Sequence, residues 1–168
     1  MSQTPLTREM LGTTLDAVRY RLNRGLRVLL LAYCALLLYG TLWPLQFSLQ
    51  PRDPTDPHAR VEWFPFSYRC PDCGWDWKDK LLNLAMFVPF GFLTGGQRAA
   101  AKTVLANTVY PTVLGFCLSL GIETIQYFLP ARTPTASDVL MNTLGAGVGA
   151  LLAWFARLVW ESKGATPS

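Results

Sequence analysis

The chain has 168 residues, of which 51% are hydrophobic and 15% are charged, and its formal net charge is +4. Soluble domains carry about 25% charged residues, so the polar residues here are too few to cover a water-soluble protein. The apolar residues are gathered in long runs. This pattern predicts an all-α integral membrane protein of one small domain and excludes a soluble enzyme.

The N-terminal segment, residues 1–25, is polar and basic. Its arginines cluster just before the first apolar run, at Arg19, Arg21, Arg24 and Arg27. A basic cluster beside a membrane span is a topology signal or a contact with anionic lipid. We interpret the segment as cytoplasmic. Nucleic acid is not expected as a partner, because the cluster directly adjoins the membrane.

Four apolar segments follow and predict four transmembrane helices in a membrane domain of residues 26–160. The predicted spans are residues 26–43, 81–96, 103–129 and 139–160. A loop rich in proline and tryptophan, residues 46–78, separates the first two spans, and its prolines predict no regular structure. A polar tail, residues 161–168, closes the chain.

The arginines and lysines of the loops indicate the orientation. Nine of them lie on the side of the N-terminus and six on the other side. Because basic residues near span ends stay in the cytoplasm, we expect both termini inside. The 46–78 loop would then be extracytoplasmic.

A short motif is found at the start of two spans. Residues 79–83 and 138–142 share the pattern D-x-L-x-N. Both predicted spans run from outside to inside. The chain is therefore interpreted as two parallel helical hairpins, related by an axis along the membrane normal.

Polar and small residues recur at helical spacing on these spans. Ser119, Glu123 and Gln126 form one stripe on the third span, and Asp138 and Asn142 begin another on the fourth. Small residues four apart let membrane helices approach closely. The predicted packing residues are Gly91, Gly95, Gly145 and Gly149.

A bundle that buries these stripes would gather polar groups in one outer vestibule. Its predicted members are Asp79, Asn83, Glu123, Gln126, Asp138 and Asn142, with Arg132 above them. Carboxylates can act as acid and base or hold a divalent cation, and an arginine can clamp a phosphate or carboxylate. Glu123 and Asp138 are the candidate catalytic residues. The alternative is structural: Arg132 neutralises a carboxylate, the amides bond across the bundle, and Asp138 caps a helix.

Two stretches carry a family resemblance. The run SLGIETIQYFLPARTPTASDVLMNTLGAGVG, from Ser119 to Gly149, and the earlier DKLLNLAMFVPFG, from Asp79 to Gly91, resemble the signature blocks of the VanZ-like family of bacterial membrane proteins. The resemblance adds Lys80 to the candidate ligand-binding residues. It implies a multi-pass protein of the inner membrane with a role in the cell envelope. The family's namesake is linked to low-level teicoplanin resistance.

The long loop contains a second candidate site, Cys70-Pro-Asp-Cys73. On the extracytoplasmic side a disulfide or a redox pair is favoured. Zinc is the alternative, but it needs four ligands and one chain offers an incomplete set, which a homo-oligomer would complete. No cofactor is required by the sequence, although a divalent cation or zinc fits the ligand types.

Three functions follow from these features. The first is a non-enzymatic envelope protein that binds an outer-leaflet lipid-linked or anionic ligand, such as a peptidoglycan precursor. The second is an enzyme that uses Glu123 or Asp138 as acid or base on a lipid-linked substrate. The third is a small oligomeric transporter.

Overall fold

The computed structural model of the protein describes residues 5–50, 61–66, 77–98 and 103–164. They form four helices: α1 (Pro5–Leu42), α2 (Trp77–Gly96), α3 (Val104–Gln126) and α4 (Ala136–Gly164). Among these residues the only β pairing is an isolated parallel bridge between Glu62 and Thr135. The predicted all-α class is confirmed.

Three of the helices are long and apolar enough to cross a membrane. The spans are Tyr20–Leu42 in α1, all of α3, and Ala136–Lys163 in α4. Helix α2 has 20 residues, begins with the polar sequence WKDK and contains Pro89. Three membrane-crossing helices are therefore supported, and the fourth span stays a prediction.

The helices begin and end at different residues from the predicted spans. Helix α1 begins within the polar segment, α2 begins four residues before Leu81, and α4 begins three residues before Val139. Helix α3 ends at Gln126 rather than at Leu129. Hydropathy locates only the apolar part of a helix, whereas its polar first turn continues into the headgroup region without a change in backbone geometry.

Helices α2 and α4 lie side by side, run in the same direction and make the closest backbone contact of the bundle. Added Cβ atoms at four glycines would meet the opposite helix. The pairs are Gly91 with Ala146, Gly95 with Ala150, Gly145 with Leu84, and Gly149 with Val88. Without side chains at these positions the two backbones touch, which maximises dispersion contacts where lipid supplies no hydrophobic driving force.

Helix α3 runs antiparallel to α4 and is joined to it by buried amides. The Asn107 side-chain amide donates to the Ala150 carbonyl at 3.1 Å. The Asn142 amide donates to the Ser119 hydroxyl at 2.8 Å, 23 residues earlier in the chain. Polar groups at membrane depth need such partners inside the protein. These bonds fix the rotation of α3 against α4.

Helix α1 runs antiparallel to α2. It contacts α2 at the middle and at the C-terminal end of that helix. The Tyr33 hydroxyl donates to the Met86 carbonyl at 2.6 Å. Leu37 is buried in the same apolar core as Phe87 and Ile122. Most other large apolar side chains of α1 lie on the outside, for example Leu31 at 71% exposure. This exposed face suits a lipid environment.

Candidate functional site

The N-terminus of α4 is the point at which three separate parts of the chain meet. Thr135 precedes the helix, and its hydroxyl accepts a hydrogen bond from the Asp138 amide at 3.1 Å. Thr135 is therefore the N-cap and Asp138 is the third helical residue. The prediction that Asp138 caps this helix is wrong, because the helix begins three residues earlier than its apolar run.

Two carboxylates from elsewhere in the chain bind this helix terminus. Glu123 Oε2, from α3, accepts the Thr135 amide at 2.8 Å. Glu62 Oε2, from the 61–66 segment, accepts the Ser137 amide at 3.0 Å, and the Glu62 carbonyl accepts the Ala136 amide at 2.9 Å. These acceptors satisfy backbone donors that a helix start leaves unpaired.

We call this group the capped end: Glu62, Glu123, Thr135, Ser137 and Asp138. Both glutamates are buried, at 6% and 7% exposure. The 61–66 segment is held here a second time, because the Phe66 amide donates to the Ser137 hydroxyl at 2.7 Å. The capped end thus ties α3, α4 and one part of the long loop together.

Lys80 of α2 joins the capped end from the other side. Its Nζ lies 2.9 Å from Asp138 Oδ1 and 3.4 Å from the Thr135 hydroxyl. The two charged side chains keep 23% and 20% of their surface exposed. Partial exposure screens such a pair, so its contribution to stability is modest. Its main effect is to fix the start of α2 beside the start of α4.

Two predicted vestibule residues bind α1 instead of the capped end. The Gln126 amide donates to the Thr41 carbonyl at 2.9 Å. Arg132 Nη2 donates to the carbonyls of Trp43 at 2.8 Å and Gly40 at 3.2 Å. These carbonyls lie in the last turn of α1 and on the residue that follows it, where a cation also interacts favourably with the helix dipole.

The remaining predicted vestibule residues lie apart from the carboxylates. Asn142 is buried one turn further along α4 and bonds Ser119. Asp79 is exposed, and Asn83 is half-buried on α2. Among the described residues, neither of their side chains forms a hydrogen bond. The structure thus brings Lys80, Glu123 and Asp138 together around Thr135 and separates them from the other predicted members.

A cavity of about 650 Å³ lies against the outer faces of α3 and α4, next to the capped end. We call it the groove. Its lining is apolar apart from Glu62, Glu123 and a few hydroxyl groups. The lining residues include Trp63, Phe116, Leu120, Tyr127, Val139 and Leu140. Leu120 is 47% exposed, so the groove opens on the side of the bundle that faces the surrounding bilayer.

Sequence reasoning missed Glu62 and Thr135. Glu62 is a lone acid in the sequence RVEWF, and an acid flanked by apolar and aromatic residues indicates a buried partner. Thr135 begins the pattern T-A-S-D, a threonine with an acid three residues later, which is typical of a helix start. Both signals were present, but the partners of Glu62 depend on a contact 75 residues away.

The structure gives no candidate metal centre in the part of the chain that it describes. No group of three His, Cys, Asp or Glu side chains there is arranged to hold an ion. Glu62, Glu123 and Asp138 bind backbone amides or Lys80 instead. Cys70 and Cys73 lie outside the described residues.

Comparison with protein families decides the identity of this fold. The model of the VanZ/LLP1 family matches residues 30–157, which include the groove and the capped end. The chain belongs to the VanZ/LLP1 family. The family resemblance of the two sequence blocks is thereby confirmed. No curated protein and no solved structure matches the chain.

The cap of α4 in this VanZ/LLP1 protein can be tested by substitution. Thr135→Ala removes the hydroxyl that accepts the Asp138 amide and touches Lys80, so we expect a loss of about 1 kcal/mol in unfolding free energy. Thr135→Ser keeps the hydroxyl and should retain nearly all of the stability. Unfolding by denaturant in detergent micelles measures both. Equal stability of the alanine and serine variants would contradict the cap assignment.

Proposed function

We propose that this VanZ/LLP1 member is a non-enzymatic cell-envelope protein that binds an envelope lipid by its apolar chain. The chain lies in the groove, and the head group of the lipid lies at the capped end. The single observation that carries this proposal is the groove itself, about 650 Å³ of mostly apolar space that ends at two buried carboxylates. Lipids whose apolar chain carries a sugar or amine head group are the ligand class with this division.

The size and position of the groove support an acyl or isoprenoid chain as the occupant. Its volume falls within the range of about 300–1,000 Å³ that is usual for small-molecule sites. Phe116, Leu120 and Leu140 offer it apolar contacts on two helices. The side opening lets a chain enter from the bilayer without crossing water, so its apolar surface is never exposed during binding.

The charges near the groove favour a head group rich in hydrogen-bond donors. Lys80 binds Asp138, and Arg132 binds the carbonyls of Gly40 and Trp43 at the end of α1, so both cations are already engaged within the protein. The acidic side chains that line the groove are Glu62 and Glu123. Their oxygens accept hydrogen bonds, and among the described residues of the groove lining no cation is present to bind a phosphate. Sugar hydroxyls or an amine therefore suit this end better than the anionic group that the sequence suggested.

One observation favours the enzyme alternative. Glu123 lines the groove and would lie within reach of a bound head group. However, one of its carboxylate oxygens already accepts the Thr135 amide. A general base has to exchange protons with its substrate, and this structural bond competes with that role. With both termini in the cytoplasm, as the loop charges predict, the capped end would face the outer leaflet.

Filling the groove tests the proposal. Leu120→Trp places a large ring in the groove, and Leu105→Trp places the same ring on an exposed position of α3 that does not line it. Native mass spectrometry of the full-length protein, extracted in mild detergent, measures the lipids that remain bound. We expect Leu120→Trp to retain roughly tenfold less lipid, about 1.4 kcal/mol of binding free energy, and Leu105→Trp to match the wild type. Equal retention by all three proteins would overturn the proposal.

A further inference from the structure

The end of the bundle opposite the capped end carries a second arrangement of polar groups, built around Arg98. This residue follows α2, and its Nε donates to the Ala106 carbonyl of α3 at 3.1 Å. Its guanidinium carbon lies 4.9 Å from the centre of the Tyr110 ring. The hydrogen bond and the ring together hold the guanidinium in one orientation. Within the described residues, its two terminal nitrogens form no hydrogen bond.

Arg157 of α4 brings a second guanidinium to the same place. Its Nη1 donates to the Arg98 carbonyl at 3.2 Å, and its guanidinium carbon lies 4.2 Å from the centre of the Trp154 ring. Glu161, one turn further on, is 3.7 Å away and 63% exposed, so it neutralises Arg157 only weakly. Beside them, the Gln97 side-chain nitrogen is buried without a partner among the described residues.

Helix α1 adds positive charge at this end. Leu26 lies next to Gly96, so the exposed Arg24 and Arg27 are near the same level of the bundle. We call Arg98 and Arg157 the basic end, and Arg24 and Arg27 are exposed charges beside it. The aromatic rings of Tyr110 and Trp154 lie among these arginines, as is common for side chains at the boundary between lipid tails and head groups.

We propose that the basic end binds the phosphate of an anionic phospholipid, with Arg98 as the principal donor. A guanidinium presents two parallel N–H groups that match two phosphate oxygens, and Arg98 is held in place before the lipid arrives. Arg157 approaches from the next helix, and basic pockets between membrane helices recognise such head groups. The lipid tails would lie along the apolar outer face of the helices. This site is independent of the groove.

Native mass spectrometry with defined lipids tests this site. The full-length protein is incorporated into nanodiscs that contain phosphatidylcholine and phosphatidylglycerol, and the ratio of the two bound lipids is measured. We expect Arg98→Gln to lower phosphatidylglycerol retention about tenfold, because charged hydrogen bonds are lost. Arg98→Lys keeps the charge but not the planar donor pair and should fall in between. Arg24→Gln makes the same charge change at an exposed position and should stay within about twofold of the wild type.

Three results would overturn the proposal. Equal losses in Arg98→Gln and Arg24→Gln would show diffuse attraction rather than a site. Unchanged retention in both Arg98 variants would remove Arg98 from lipid binding. If inorganic phosphate raises the melting temperature of the detergent-solubilised protein as much as phosphatidylglycerol does, the site takes free phosphate and not lipid. If Arg98→Gln unfolds in pure phosphatidylcholine, the test rests on the phosphatidylglycerol retention of Arg98→Lys. Retention equal to that of the wild type would then overturn the proposal.

Discussion

A methyl group at Gly149 or Gly145 is expected to separate α2 from α4 and to destabilise the protein strongly. At Gly149 the new Cβ would meet the Val88 carbonyl, and at Gly145 it would meet the Leu84 carbonyl. The obstacle in both cases is backbone, which cannot rotate away as a side chain can. Overpacking of this kind costs about 1–3 kcal/mol and sometimes more, so the melting temperature should fall clearly.

The matched control for these variants is Gly121→Ala on α3. A Cβ at Gly121 has nothing within 4 Å, and alanine is the better helix former by about 0.5–1 kcal/mol. This control should unfold at the same temperature as the wild type or at a higher one. Tryptophan fluorescence during heating of the detergent-solubilised protein measures all three variants. If Gly149→Ala were as stable as Gly121→Ala, the α2–α4 contact described above would be wrong.

Removal of the Glu123 side chain is expected to have the second large effect. In Glu123→Ala the Thr135 amide loses its carboxylate acceptor at a buried site, which costs about 1–3 kcal/mol. Glu123→Gln keeps an amide oxygen that can accept the same hydrogen bond. Its stability should therefore lie much closer to that of the wild type.

The same pair of variants separates a structural role of Glu123 from a catalytic one. In a deletion strain that expresses each variant, mass spectrometry of envelope lipids and wall precursors measures any change of chemical composition. We expect Glu123→Gln to leave every species at its wild-type mass, because binding converts no bond. Asp79→Asn, an exposed carboxylate on α2, serves as the control. A species that differs by a defined chemical group in Glu123→Gln alone would establish an enzyme instead.

Much of the fold follows from two simple patterns in the sequence. Long apolar runs predict the helices, because a bilayer requires every backbone group to be bonded internally. The four-residue spacing of Gly91 with Gly95 and of Gly145 with Gly149 marks surfaces on which backbones can touch, and the structure has these two surfaces in contact with each other. Both patterns are local, so they can be read without knowledge of the neighbouring helix.

The candidate site was harder to predict, because spacing along one helix does not say which neighbour that helix meets. Glu123 and Gln126 lie on one stripe, but Glu123 reaches the start of α4 while Gln126 reaches the end of α1. The difference arises from the position of α1, which offers Gln126 a backbone carbonyl. A backbone carbonyl has no signature in the sequence. Glu62 was missed for a related reason: its partner, Ser137, is 75 residues away.

The measurement that tests the account most directly is a map of photo-crosslinks from a lipid with a diazirine near the end of its apolar chain. The full-length protein is irradiated in membranes that contain this lipid, and the labelled residues are identified by peptide mass spectrometry. We expect labelling concentrated on the groove, at Phe116, Leu120 and Leu140, with a marked decrease in Leu120→Trp. Labelling spread evenly over the exposed faces of α1 and α3, and unchanged in that variant, would contradict this expectation.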